Sequence, residues 1–117
     1  MAFLSFFMVG ATPTIDPVET RFRHQISTSK VVYVVLVDPW QKESLKLERL
    51  AKIAFIWDNI IWVDVTKPWA KKRWGAGNPM IKSPPATLKY ENGRMTEIRR
   101  GLNKSFVYLI ANLKTTK

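Results

Sequence analysis

The 117-residue sequence contains no cysteine and one histidine, His24. Without cysteine the chain forms no disulfide, has no thiol nucleophile and offers no thiolate to a metal ion. A single imidazole also excludes a cluster of histidine ligands. We therefore expect no metal site, no cofactor and no catalytic residue of the thiol type.

Glycine is scarce, and its arrangement offers no phosphate-binding loop. The segment Gly75-Ala76-Gly77-Asn78-Pro79 has neither the GxGxxG nor the GxxxxGK[ST] spacing. Long hydrophobic runs are missing too, and no stretch is long enough to span a bilayer. The apolar stretch from Phe3 to Val9 has no basic residue before it, so we interpret it as a buried strand, with an interfacial or uncleaved signal role as the alternative.

Acidic residues are few in the second half of the chain. Residues 1–66 contain seven basic and seven acidic side chains, whereas residues 67–117 contain twelve basic side chains and two acidic ones. The formal net charge of +10 therefore belongs to the second half. Such an asymmetric charge favours an acidic partner, which includes protein surfaces, RNA and anionic membrane faces.

The pattern of apolar residues predicts strands that alternate with helices. Asp16 is placed to cap the first helix, with Pro17 in its first turn. The other predicted elements, in chain order, are a strand at Lys30–Asp38, a helix at Gln41–Ile56, a strand at Ile60–Val65, a short helix at Lys67–Trp74, a loop at Gly75–Pro84, a hairpin of Ala86–Tyr90 and Arg94–Arg99 around Asn92-Gly93, and a last helix capped by Asn103. This order predicts one α/β domain over residues 1–117, with helices on both sides of a central mixed sheet and a C-terminal antiparallel hairpin.

Three segments resemble the thioredoxin family. They are Val37-Asp38-Pro39-Trp40 at the end of a strand, Val63-Asp64-Val65, and the run from Ser83 to Gly93. The resemblance covers almost the whole chain and implies a single-domain, three-layer thioredoxin-like fold. It also implies that Pro85 is the cis-proline of that fold, with Pro79 as a competing candidate.

The chain departs from the redox-active members of that family at one corner. Where they have Trp-Cys-x-x-Cys at the start of a helix, this sequence has Gln41-Lys42-Glu43-Ser44, and the connection is about four residues shorter. Without a thiol to serve, we expect Asp38 to be a strand-end residue with a local hydrogen bond. A serine nucleophile at Ser44 or Ser83 needs a nearby base, and we expect His24 to be a surface residue. We therefore expect a protein that is not an enzyme.

The segment from Lys67 to Trp74 is the strongest candidate for a binding surface. Tryptophan and arginine are favoured at protein interfaces because they combine large contact areas with directional donors. We predict partner contacts from five residues of this segment, namely Trp69, Lys71, Lys72, Arg73 and Trp74. The alternative is that both tryptophans pack inward while the cations stay solvated.

The C-terminal half carries a second, looser resemblance over about thirty residues. Its Pro85, Tyr90, Asn92-Gly93, Glu97 and Lys104-Ser105 are similar to the cysteine-poor thioredoxin folds of mitochondrial ribosomes and respiratory complex I. This resemblance implies an accessory subunit of a mitochondrial membrane complex, of the respiratory-chain or ATP synthase type. The alternative is a mitochondrial ribosomal protein that binds RNA phosphates through its basic half. Peripheral contact with a membrane is a further alternative.

Overall fold

The computed structural model describes residues 15–53, 60–74 and 84–113. The described helices are α1 (Pro17–Thr28), α2 (Lys42–Ile53), α3 (Pro68–Trp74) and α4 (Leu102–Leu113). The described strands are β1 (Val31–Val37), β2 (Ile60–Asp64), β3 (Ala86–Glu91) and β4 (Arg94–Arg100). The predicted N-terminal strand at Phe3–Val9 lies outside these residues. Pro79 and Ser83 also lie outside them.

The four strands form one mixed sheet in the order β2-β1-β3-β4. β1 is parallel to β2 and antiparallel to β3, and β4 pairs antiparallel with β3. The run VVYVVLV occupies a central strand, in which Val34 to Val37 are buried on both faces, and central strands of this kind are continuous apolar runs. The predicted α/β architecture with a C-terminal antiparallel hairpin is therefore confirmed.

Each face of the sheet carries its own hydrophobic core. On one face, Val34 and Leu36 pack in a cluster with Phe22 of α1 and Trp74 of α3. On the other face, Val35 and Val37 pack with side chains of α2 and α4, among them Leu47, Ala51 and Leu109. Because successive residues of a strand point to opposite faces, one seven-residue strand supplies both cores. The result is the predicted three-layer arrangement.

The helix ends agree with the sequence at one position and differ at another. Asp16 caps α1, where its Oδ1 accepts a 2.8 Å hydrogen bond from the Val18 N–H. The predicted cap at Asn103 is wrong, because α4 begins at Leu102 and the carbonyl of Gly101 accepts the first helical hydrogen bond, from Ser105. Helix α2 is described as far as Ile53, and residues 54–56, over which the sequence predicted that it continues, lie outside the described residues.

The hairpin turn and the proline corner follow the prediction. Asn92 and Gly93 have φ angles of +52° and +84°, as a two-residue hairpin turn requires. The peptide bond between Pro84 and Pro85 is cis, so the prediction for Pro85 is confirmed. Of the helices that the structure describes, none has the length and apolar character needed to cross a membrane.

Candidate functional site

The short basic helix α3 follows directly from the end of β2. Asp64 holds the connecting turn, since its Oδ1 accepts hydrogen bonds from the Thr66 N–H at 2.8 Å and from the Thr66 hydroxyl at 2.6 Å. Pro68 occupies the first position of the helix, where its missing N–H and restricted φ angle cost nothing. The turn and the proline together set the direction in which α3 leaves the sheet.

The inner side of α3 is fixed by an aromatic cluster around Phe22. The ring centroid of Phe22 lies 5.4 Å from that of Trp74, 6.0 Å from that of Trp69 and 5.4 Å from that of Tyr90. Trp74 is 1% exposed, so it is a core residue and presents no surface to a partner. The prediction of a partner contact at Trp74 is therefore corrected, because its position four residues after buried Ala70 places it on the inner face of the helix. Trp69 is partly buried against the same core.

The outer side of α3 carries three consecutive exposed cations, which we call the basic ridge: Lys71, Lys72 and Arg73. Within the residues that the structure describes, none of the three forms an ion pair with a carboxylate. The Arg73 guanidinium lies 4.8 Å from the ring centroid of Phe22 and 5.8 Å from that of Trp74. Cation–π attraction therefore holds Arg73 in place while its charge stays unneutralised.

A shallow pocket of about 500 Å³ separates the basic ridge from α1. Phe22, Pro68 and Trp69 form its apolar lining, and Lys72 and Arg73 of the ridge also line it. Among the described residues that line it, Glu19 supplies the carboxylate, which is paired with the Arg23 guanidinium at 2.6 Å. The pocket thus combines apolar walls with unpaired positive charge, which suits an acidic group attached to an apolar one.

The described residues of the corner after β1 are joined by local hydrogen bonds. The Asp38 N–H donates a 2.9 Å hydrogen bond to the Ser44 hydroxyl oxygen, and Asp38 Oδ1 accepts one of 2.9 Å from the Trp40 N–H. The expectation of a local hydrogen bond for Asp38 is confirmed. Ser44 is fully buried, and exposed His24 lies on α1, on the opposite face of the sheet from α2. No serine–histidine pair therefore forms at this corner.

Other features were invisible to sequence reasoning. Trp40 is 86% exposed at the corner, although tryptophan is usually covered. The Tyr108 hydroxyl donates a 2.6 Å hydrogen bond to Glu97, which lowers the pKa of the Glu97 carboxyl, and burial raises the pKa of Tyr108. The two residues come from different elements, so only the packing of α4 on the sheet reveals the pair.

Among the residues with described positions, no group of three potential metal ligands occurs.

The comparisons with known proteins concern the fold. No protein-family model matches the sequence, and no curated protein matches it. Solved structures do match. The chain is similar to mitochondrial thioredoxin 3 from Saccharomyces cerevisiae, with 18% identity and a TM-score of 0.57 over 83% of this chain and 89% of that one. It is also similar to a thioredoxin from Malassezia sympodialis, with 20% identity and a TM-score of 0.59 over 82% of this chain and 83% of that one.

A mutant thioredoxin from Halobacterium salinarum gives the same result, with 16% identity and a TM-score of 0.59 over 88% of this chain and 95% of that one. At such identities the similarity establishes architecture and leaves activity to be argued from this chain's own residues. The sheet order, the cis Pro84–Pro85 bond and these structures agree with one another. The chain has the thioredoxin fold, in a form that contains no cysteine.

Proposed function

We propose that this protein is a redox-inactive accessory subunit of a larger protein assembly, in which the basic ridge binds an acidic surface of a neighbouring subunit. The observation that carries the proposal is the unpaired charge of Lys71, Lys72 and Arg73 on a helix whose inner side is locked into the core. Rigid presentation reduces the entropy lost on binding, and unpaired cations steer an acidic partner toward the site.

A protein partner fits this surface better than RNA does. Binding of single-stranded RNA uses exposed aromatic rings on which bases stack. Trp74 is buried and Trp69 is partly covered, and helices lie on both faces of the sheet. The ridge therefore offers phosphate contacts without stacking, whereas the apolar pocket beside it accommodates a side chain from a protein.

We further propose a mitochondrial membrane complex, of the respiratory-chain or ATP synthase type, as the assembly. Support for this step is the similarity of the segment from Pro85 to Ser105 to cysteine-poor thioredoxin folds in mitochondrial complexes. A mitochondrial ribosome is the second candidate, favoured by the net charge of +10.

The test replaces Lys71, Lys72 and Arg73 together with glutamate. A matched control makes the same change of charge at Lys42, Lys46 and Arg49, which are exposed on α2 at the opposite face of the sheet. Both tagged variants and the wild-type chain are expressed in cells of the source organism. Their sizes are then compared by native gel electrophoresis and gradient sedimentation of fractionated organelles.

We expect the wild type and the α2 control to migrate with a large mitochondrial assembly, and the ridge variant to migrate as a free chain of unchanged fold. Unchanged incorporation of the ridge variant would falsify the docking surface. Release of the wild type by ribonuclease, with a steep dependence on salt concentration, would replace the protein partner with RNA. Recovery of the wild-type chain outside mitochondria would overturn the proposed location. The comparison between the ridge variant and the α2 control would still test the docking surface.

A further inference from the structure

A second groove lies on the side of the sheet opposite the basic ridge. It has a volume of about 570 Å³ and is lined by Arg99 of β4 together with side chains of α4: Asn103, Lys104, Val107, Tyr108 and Ala111. Its surface is mostly apolar. Val107, at its centre, is 65% exposed, although its neighbours Tyr108 and Leu109 are buried.

The groove runs along one stripe of α4. Asn103, Val107 and Ala111 follow one another at intervals of four residues, which places them in one row that is inclined to the helix axis and spans about 12 Å of it. The small Ala111 and the compact Val107 allow a second backbone to approach closely. Rows at this spacing are the ridges that fit into the grooves of another helix packed against them.

The floor of the groove is held rigidly. The Tyr108 hydroxyl is bound to Glu97 at 2.6 Å, and the Arg99 guanidinium lies 4.9 Å from the centroid of the Tyr108 ring. Ser105, one turn before Leu109, is buried and donates its hydroxyl to the Arg99 carbonyl at 3.1 Å. These contacts join α4 to β4, so the two walls of the groove keep a fixed spacing.

The charge at the groove is positive. Arg99 and Lys104 line it, and nearby Glu97 already accepts a hydrogen bond from the Tyr108 hydroxyl and lies 3.8 Å from Arg99. Within the described part of the chain, Lys104 forms no ion pair. An occupant of this groove therefore needs carboxylates beside its apolar side chains.

We propose that this groove binds an acidic amphipathic helix of a partner protein, with one apolar side chain between Val107 and Ala111 and carboxylates against Arg99 and Lys104. The groove and the basic ridge lie on opposite faces of the sheet, so the groove stays accessible whether or not the ridge is occupied. This inference does not depend on the ridge being a docking surface. An anionic membrane fits less well, because peripheral insertion uses larger aromatic and leucine side chains on a convex face.

The test selects peptides from a displayed library of 15-residue helix-forming sequences, using the purified full-length chain as bait. Each enriched peptide is measured by fluorescence anisotropy against the wild type, Val107→Asp, Lys104→Glu and the glutamate triple variant of the basic ridge. Leu45→Asp is the matched control, because Leu45 is an exposed apolar residue on helix α2.

We expect enriched peptides to carry aspartate or glutamate beside leucine or isoleucine at a spacing of four. Their affinity should fall at least about tenfold with Val107→Asp and several-fold with Lys104→Glu, and should stay unchanged with Leu45→Asp and the ridge variant. Circular dichroism and thermal unfolding of each variant serve as controls, which distinguish a loss of peptide affinity at the surface from a loss of the fold.

Three results would overturn the proposal. One is the enrichment of peptides without acidic residues, and another is equal binding to the wild type and Val107→Asp. The third uses vesicles of phosphatidylserine and phosphatidylcholine as the probe: binding of the wild type to them, lost in Val107→Asp and accompanied by no enriched peptide, assigns the groove to a membrane surface.

Discussion

The Tyr108 hydroxyl of α4 donates a 2.6 Å hydrogen bond to Oε1 of Glu97 on β4. The bond lowers the pKa of the Glu97 carboxyl below its ordinary value, and burial together with the same bond raises the pKa of Tyr108 above its own. A neutral tyrosine and an ionised glutamate are therefore the forms that the folded chain favours. The pair couples the last helix to the outer strand of the sheet.

The stability that this pair contributes should depend on pH in two directions. Because the pKa of Glu97 is lowered on folding, its contribution is present above the ordinary value of 4.5 and is lost as the pH falls through the folded pKa. Because the pKa of Tyr108 is raised, its contribution is present below about 10 and is lost as the pH rises above that value.

The measurement compares the free energy of unfolding of the wild type with that of Tyr108→Phe by urea denaturation between pH 3 and 11. We expect the difference between the two proteins to be constant near neutral pH and to shrink below about 4.5 and above about 10. A difference that does not vary with pH contradicts the assigned protonation states.

Ser44→Ala should destabilise the corner after β1. The substitution removes the acceptor of the Asp38 N–H, a 2.9 Å bond, and leaves that donor without a partner. We expect a loss of about 1 to 2 kcal/mol, the lower part of the range for an orphaned donor, because the corner is partly buried. Ser27→Ala on the exposed side of α1 is the control, since Ser27 bonds only to carbonyls of its own helix. Equal effects of the two substitutions in chemical denaturation would contradict a structural role for Ser44.

Gly101→Ala should destabilise the junction between β4 and α4 through the backbone alone. Gly101 has a φ angle of +93°, and a Cβ atom added there meets no other atom within 4 Å. The expected loss of about 1 to 2 kcal/mol therefore comes from conformational strain and not from a clash. Gly101→Asn should cost less, because asparagine tolerates positive φ better than alanine. Equal thermal stability of the wild type and Gly101→Ala would contradict the prediction, since it would mean that the backbone at residue 101 adopts another φ angle without loss of stability.

The purified protein should not reduce insulin in the presence of dithiothreitol above the uncatalysed rate. Thiol–disulfide exchange begins with attack by a thiolate, and the sequence contains no cysteine. A redox-active thioredoxin at the same concentration serves as the positive control. Insulin reduction above the uncatalysed rate would contradict the prediction, because it would require a reducing group other than a cysteine thiol.

The fold followed from the sequence to a large extent, because its signals are local. The continuous apolar run of β1, the Asn92-Gly93 turn and the Asp16 cap each depend on neighbouring residues, and the structure confirms all three. The cap of the last helix was placed wrongly at Asn103. Asparagine is a common cap, but Gly101 alone adopts the positive φ angle through which the chain turns from β4 into α4.

For the candidate site, the sequence and the tertiary structure each determined a different part. The sequence by itself determined the absence of thiol chemistry and the concentration of positive charge after residue 66, since both depend on composition and order alone. Only the tertiary structure decided which residues of the basic segment are accessible: Trp74 enters the core because α3 packs its inner face on Phe22, while Lys71, Lys72 and Arg73 remain outside. The groove beside Val107 likewise exists only because the packing of α4 against β4 brings together residues whose positions in the sequence do not reveal that they are neighbours.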